Sequence, residues 1–205
     1  MTAGTRLAGA LLCLALLGVT APATAAGGGA TLEQREAFRE ALQRGQRQAT
    51  LWRAGWLTFH TAGLARNLYR ATGDGDSAER FDGRVDSVRS LLAVGTLAVT
   101  PSPYAGIEPD ASPPGATLHD RVGRLSAEES RRRSPGAQGG ALLVNAAGGL
   151  VIGIIDERPG DGALNFLLGM LVNTVQTYTQ PRVFSKLEAD WQAGAGSVAV
   201  TVRWP

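Results

Sequence analysis

Cysteine occurs once in this 205-residue chain, at Cys13. Cys13 falls in a segment read below as a cleaved leader, so the rest of the chain can form no disulfide, thiolate metal site or cysteine nucleophile. Lysine is as scarce: of the 20 basic residues only Lys186 is lysine. Histidine occurs only at His60 and His119, and there is no H-E-x-x-H, no G-x-S-x-G and no Gly-rich phosphate loop with its lysine. The expectation is therefore no catalytic residues, no metal ligands and no cofactor. Asp74, Asp76, Glu79 and Asp82 lie close together but lack the ligand order of a calcium loop, and turn and capping duty accounts for them. A long-range carboxylate pair, such as Asp86 with Asp156, is the one hydrolytic arrangement the pattern leaves open.

Strong charge of one sign is also missing. Without Arg6 the balance is 19 positive residues against 18 negative, and no basic face stands out, which argues against a nucleic-acid partner. Arg6 itself precedes an uncharged apolar run over residues 7–19 and then Pro22, Ala23, Thr24, Ala25 and Ala26. That is the layout of a secretory leader, too short to span a bilayer, with small residues at Ala23 and Ala25 for cleavage near Ala25 or Ala26. Leu12 stands where lipid attachment to Cys13 would call for a small residue. The chain thus divides into a signal peptide, residues 1–26, and one exported domain, residues 27–205.

The exported part reads as mainly α: a helical bundle with a C-terminal helical hairpin and one short C-terminal β-strand. Thr31 and Gln34 have capping-box spacing and open a surface helix with Leu32, Phe38 and Leu42 as its apolar stripe. A bend at Gly45 leads to a second helix over residues 49–70. After the turn at TGDGDS, Asp76 or Ser77 caps a third helix whose stripe is Phe81, Val85, Val88, Leu92, Gly95 and Val99, stopped by Pro101 and Pro103. Residues 101–118 read as a Pro-rich extended linker. Ser126 and Glu129 have capping-box spacing for a short charged helix ending in Arg131, Arg132 and Arg133. That triplet suits a solvated helix C-terminus, or alternatively contact with anionic lipid headgroups.

Two uncharged segments follow, 17 residues over 139–155 and 19 over 162–180, joined by the short polar DERPGDG turn. They read as an antiparallel hairpin. The next stretch fits a helix, with Phe184, Leu187 and Trp191 on one side, better than a strand, because Pro181 suits a helix start. SVAVTVRW, residues 197–204, alternates as a strand does.

Length brings both uncharged segments to the threshold for crossing a bilayer, and Gly149 with Gly153 supplies a small-xxx-small spacing, which serves close packing in lipid or in a soluble bundle alike. Arg53, His60 and Arg66 oppose insertion of the second helix. The loop charges run against the positive-inside tendency. A hairpin in the membrane, with the second helix packed on it through polar contacts, meets both objections.

Polar residues recur on single faces of these apolar helices. Asn165, Asn173 and Gln176 share one face of the last hairpin helix, Asn145 stands on its partner, and Arg53, His60 and Asn67 share one side of the second helix. Buried amides need partners, since an unmade hydrogen bond costs about 1 to 3 kcal/mol. We expect them to find each other, in a network that fixes helix register or lines a cleft for a small or lipidic ligand. The block NFLLGMLVNTVQTYTQP, residues 165–181, resembles a segment of uncharacterised proteobacterial exported proteins with several apolar helices. That resemblance implies a similar fold and carries no activity. The expected role is a non-enzymatic envelope protein, on the periplasmic side of the inner membrane rather than free in the periplasm, with a membrane, lipid or protein partner. The alternative is a soluble periplasmic protein that binds an apolar or lipidic ligand.

Overall fold

A computed structural model describes residues 30–111 and 116–201, with side chains described to residue 194. The expected signal peptide and Cys13 lie outside the described residues. Apart from connections the described chain is helical, and no strand is present among the described residues.

Helix α1, Leu32–Thr72, starts as its sequence dictates: Thr31 Oγ1 accepts from the Gln34 amide at 3.1 Å, and Gln34 Oε1 accepts from the Thr31 amide at 3.0 Å. The expected bend at Gly45 does not occur. α1 runs unbroken for 41 residues, and Gly45 is small for another reason. A Cβ there would lie 3.1 Å from Cζ of Tyr104, whose ring crosses the helix at this point.

Helix α2, Ser77–Val99, is capped by Asp76, which accepts from the Glu79 amide at 2.7 Å, and it stops before Pro101 as expected. Its apolar stripe has the right period, but Val88 and Val99 are exposed. Residues 101–111 are not a free linker. Tyr104 is fully buried, and the Arg121 guanidinium donates to the carbonyls of Glu108 (2.7 Å) and Pro109 (3.1 Å).

Helix α3, Leu118–Arg132, begins eight residues before Ser126, at a capping box of Thr117 with Asp120. Ser126 and Glu129 are therefore interior positions, and both are buried. Glu129 does cap a helix, but not its own. Its carboxylate accepts from the amides of Phe184 (2.9 Å) and Ser185 (2.8 Å), the open N–H groups at the start of α6, Val183–Thr201. It also accepts from Tyr104 Oη at 2.7 Å. Burial, then this carboxylate, pushes the Tyr104 phenol well above its ordinary range.

α6 settles the ambiguous stretch in favour of helix, with Phe184 buried and Leu187 and Trp191 packed against the same core. It does not support the expected strand: α6 continues through Thr201, where the described residues end, and the rest of residues 197–204 lies outside them. Valines that alternate along a strand are equally compatible with a helix when a helix already leads into them.

A 3-10 turn, Pro135–Gln138, leads into α4, Gly139–Leu150, which widens into a π-helical turn, Val151–Ile155. The chain reverses through Glu157, which is left-handed at φ 55°, into α5, Pro159–Tyr178. The expected antiparallel hairpin is thus present. Its two arms touch backbone to backbone, because a Cβ at Gly149 would lie 2.7 Å from the Gly162 carbonyl oxygen.

Two regions result. In the first, the N-terminal part of α1 packs with α3, α6 and Tyr104 around Phe38, Leu42, Val122, Leu125, Val183 and Phe184. In the second, the rest of α1 pairs with α2, and this pair faces the α4–α5 hairpin. Here the usual order reverses. Leu143 is 73% exposed and Ile154 70%, and Leu51, Phe59, Leu91, Leu150, Leu164, Leu167 and Leu171 are exposed with them. One helical run among the described residues, Pro135–Ile155, is long and apolar enough to cross a membrane, and only 22% of its apolar window is buried.

Candidate functional site

Between the α1–α2 pair and the α4–α5 hairpin lies a cavity of about 720 Å³. Six of the seven residues singled out from the sequence line it: His60 and Asn67 from α1, Asn145 from α4, and Asn165, Asn173 and Gln176 from α5. The seventh, Arg53, does not join them. Its guanidinium crosses to α2 and donates to the Ala98 carbonyl.

These residues meet each other less than expected. Only one direct pair forms within the set, His60 Nε2 with Gln176 Oε1 at 3.1 Å. Asn67 Nδ2 donates to Ser90 Oγ at 3.3 Å. Asn145 and Asn165 both turn to Arg89 of α2, whose guanidinium donates to each of their side-chain oxygens and to Asp86 Oδ1 at 3.1 Å. Asn165 Nδ2 in turn donates to Asp86 at 2.9 Å. Asn173 Nδ2 is buried without a partner among the described residues.

Arg89 and Asp86 are thus the hub of the cluster; the sequence did not single out Arg89, and it offered Asp86 only as a possible partner of Asp156. The signal was available, since an i, i+3 ion pair stands where α2 turns apolar. It was hidden because the flanking charges Arg84 and Asp82 look alike in sequence and only the fold separates them. Glycine makes room for the hub. A Cβ at Gly169 would overlap the Arg89 guanidinium and Asn145, and one at Gly148 would lie 3.0 Å from Arg89 Cδ.

The two ends of this section are marked differently. At one end the indoles of Trp52 (3.1 Å) and Trp56 (3.4 Å) both donate to Thr179 Oγ1, just past Tyr178. At the other, Arg158 of the hairpin turn pairs with Asp82 of α2, with Asp156 at 2.6 Å and with Asp161 at 2.9 Å. α5 covers the distance between them in 20 residues, about 30 Å at 1.5 Å per residue.

Asp86 and Asp156, the carboxylates considered as a long-range pair, are held by different arginines, Arg89 and Arg158. Of the acidic cluster, Asp76 caps α2, Glu79 pairs with Arg70 at 3.3 Å, and Asp82 pairs with Arg158. Among the described residues no group of three or more His, Cys, Asp or Glu side chains is placed to hold a metal ion.

Arg131 and Arg132 of the arginine triplet both pair with Glu128 at 2.7 Å. The hydrogen bond from Arg131, and after it the one from Arg132, hold the Glu128 carboxyl down at about 2. Arg133 instead donates to the Gln180 carbonyl at 2.7 Å and lies over the Tyr178 ring. Set beside known proteins, the chain matches no family model, no curated protein and no solved structure.

Proposed function

We propose that the chain is a non-enzymatic cell-envelope protein: an exported helical bundle held at the inner membrane on its periplasmic side, acting structurally or through a protein partner. The observation that carries this reading is the reversed section, where Leu143, Leu150, Ile154, Leu164, Leu167 and Leu171 are exposed while its amides, Arg89 and Asp86 line the cavity. In water such a surface is costly, because apolar patches of more than a few hundred Å² are rare on soluble monomers. In lipid it costs nothing, and intramembrane polar groups are expected to turn toward neighbouring helices. The section's height of about 30 Å suits the hydrocarbon core of a bilayer, and tryptophan and tyrosine at one end suit its interface.

The α1–α2 pair need not insert alone on this reading. His60, Asn67 and Arg89 can be shielded by the hairpin they contact, which lowers the cost that each polar group would meet in lipid. Fractionation tests the reading. The mature chain should remain with the membrane pellet through high salt and alkaline wash and should need detergent for extraction. Release by either wash overturns it.

The cavity favours a second reading, in which a soluble periplasmic form holds an apolar or lipidic ligand between the two helix pairs. Lipid that co-purifies with a detergent-free, soluble chain would support that reading over the first.

A further inference from the structure

A smaller cavity, about 380 Å³, sits where α3 ends, α5 ends and α6 begins, lined by Ser130, Arg133, Tyr178, Arg182 and Ser185. Two guanidinium groups face it, and neither has a carboxylate partner among the described residues. Arg133 spends one N–H on the Gln180 carbonyl and lies 5.5 Å over the Tyr178 ring. Arg182 makes no hydrogen bond or ion pair among the described residues, and it is exposed. The nearest carboxylate, Glu129, is committed to Tyr104, Phe184 and Ser185. Burial, and after it the neighbouring Arg182 charge, pushes Arg133 below its ordinary range, as two cations in one recess should. Ser185 spends its hydroxyl on Glu129, which leaves Ser130, and arginine forks with a serine hydroxyl are the chemistry of phosphate recognition.

The position supplies the second half of the argument. The recess opens at Tyr178, the last residue of α5, and the outward apolar side of α5 continues from it through Val175 and Leu171. A ligand seated here has a cationic, hydroxyl-lined recess for its head and an apolar flank for its chains.

We propose that this recess binds the phosphate headgroup of an anionic phospholipid, with the acyl chains lying along the exposed side of α5. The inference rests on the membrane reading above and names the lipid class that reading would select. Neutral phosphatidylcholine also carries a phosphate, but its ammonium cancels the charge that Arg133 and Arg182 would meet.

The test is flotation of the full chain with vesicles of phosphatidylcholine alone or mixed with phosphatidylglycerol, at one ionic strength. Wild type should partition more strongly into the mixed vesicles, and Arg182→Gln should lose about fivefold of that gain, the scale expected for one basic side chain at an anionic surface. Because Arg182 holds nothing in the fold, this variant should unfold at the wild-type temperature; Arg133→Gln, which also loses the Gln180 contact, serves as the second variant. Arg44→Gln, which removes an exposed charge from α1, should keep the full gain. Equal binding of wild type to both vesicle types overturns the inference and leaves the membrane reading intact. Failure to bind either type overturns both. Equal losses in Arg44→Gln and Arg182→Gln would show a general charge effect instead of a site. Stabilisation by inorganic phosphate with no preference among vesicles would show a free-phosphate site and also overturn the proposal.

Discussion

Around Phe38, Tyr104 and Phe184 the chain buries its rings and puts most of its charges outside. Beyond Trp52 the order reverses, with Arg89 and Asp86 half-buried between the helix pairs and Leu143 and Ile154 turned out. Both regions are built from helices, and α1 runs through both without a break. The contrast teaches that amphipathic periodicity reports two unlike faces, while the surroundings decide which face turns inward.

Substitution at the two kinds of interior would break or sharpen this contrast. The largest effect is expected at Phe184, fully buried beside Phe38 and Tyr104: Phe184→Ala should cost about 3 to 5 kcal/mol in denaturant unfolding. Leu171→Ala, on the outward side of α5, should cost less than about 1 kcal/mol in the same measurement. Equal costs would mean that Leu171 is packed within the fold and that the second region is not reversed.

Next comes the polar hub. Arg89→Leu leaves Asp86, Asn145 and Asn165 without their shared donor and should destabilise by about 3 kcal/mol, whereas Arg89→Leu with Asp86→Leu should recover part of the loss, since removing both halves of a buried ion pair is often tolerated. Thermal unfolding in detergent reads both. A double variant worse than the single one would show that the hub does more than satisfy its own charges.

Asn173→Leu removes the one buried amide nitrogen that lacks a partner among the described residues, so stability should rise by about 1 kcal/mol. Such a gain, with membrane retention unchanged, would assign the cavity amides to helix register. A loss would mean that Asn173 has a partner in the cell, as the ligand reading of the cavity requires.

The smallest effect concerns pH. Arg131 and then Arg132 lower Glu128 from an ordinary 4.5 to about 2. A carboxylate whose folded value is lowered contributes fully above the unfolded value and loses that contribution as pH falls toward the folded one. Stability of the first region should therefore decline between about pH 4.5 and 2, and Glu128→Gln should flatten that part of the curve, as unfolding followed by tryptophan fluorescence would show.

Much of this was legible beforehand at the level of elements. Caps at Thr31 and Asp76, the stop at Pro101 and the DERPGDG reversal are local, set by side chains within a few residues of the backbone groups they satisfy. The amide face of α5 was legible for the same reason. The errors share another cause. Ser126 and Glu129 have the spacing of a local cap, but Glu129 serves α6, 55 residues away, and Gly45 resembles a hinge until Tyr104 is laid across it. The alternation that begins at Ser197 is a period-2 pattern, and as far as Thr201 the chain continues as helix.

By itself, then, the sequence determined the helix starts at Thr31 and Asp76, the stop before Pro101 and which residues share a helix face, because hydrogen bonds to a helix's own ends and a repeat of 3.6 residues are properties of neighbouring positions. The tertiary structure alone decided which face looks inward, that Arg89 gathers the amides, and that Arg133 and Arg182 share one recess. Those outcomes depend on contacts between residues far apart in the chain, which spacing does not encode.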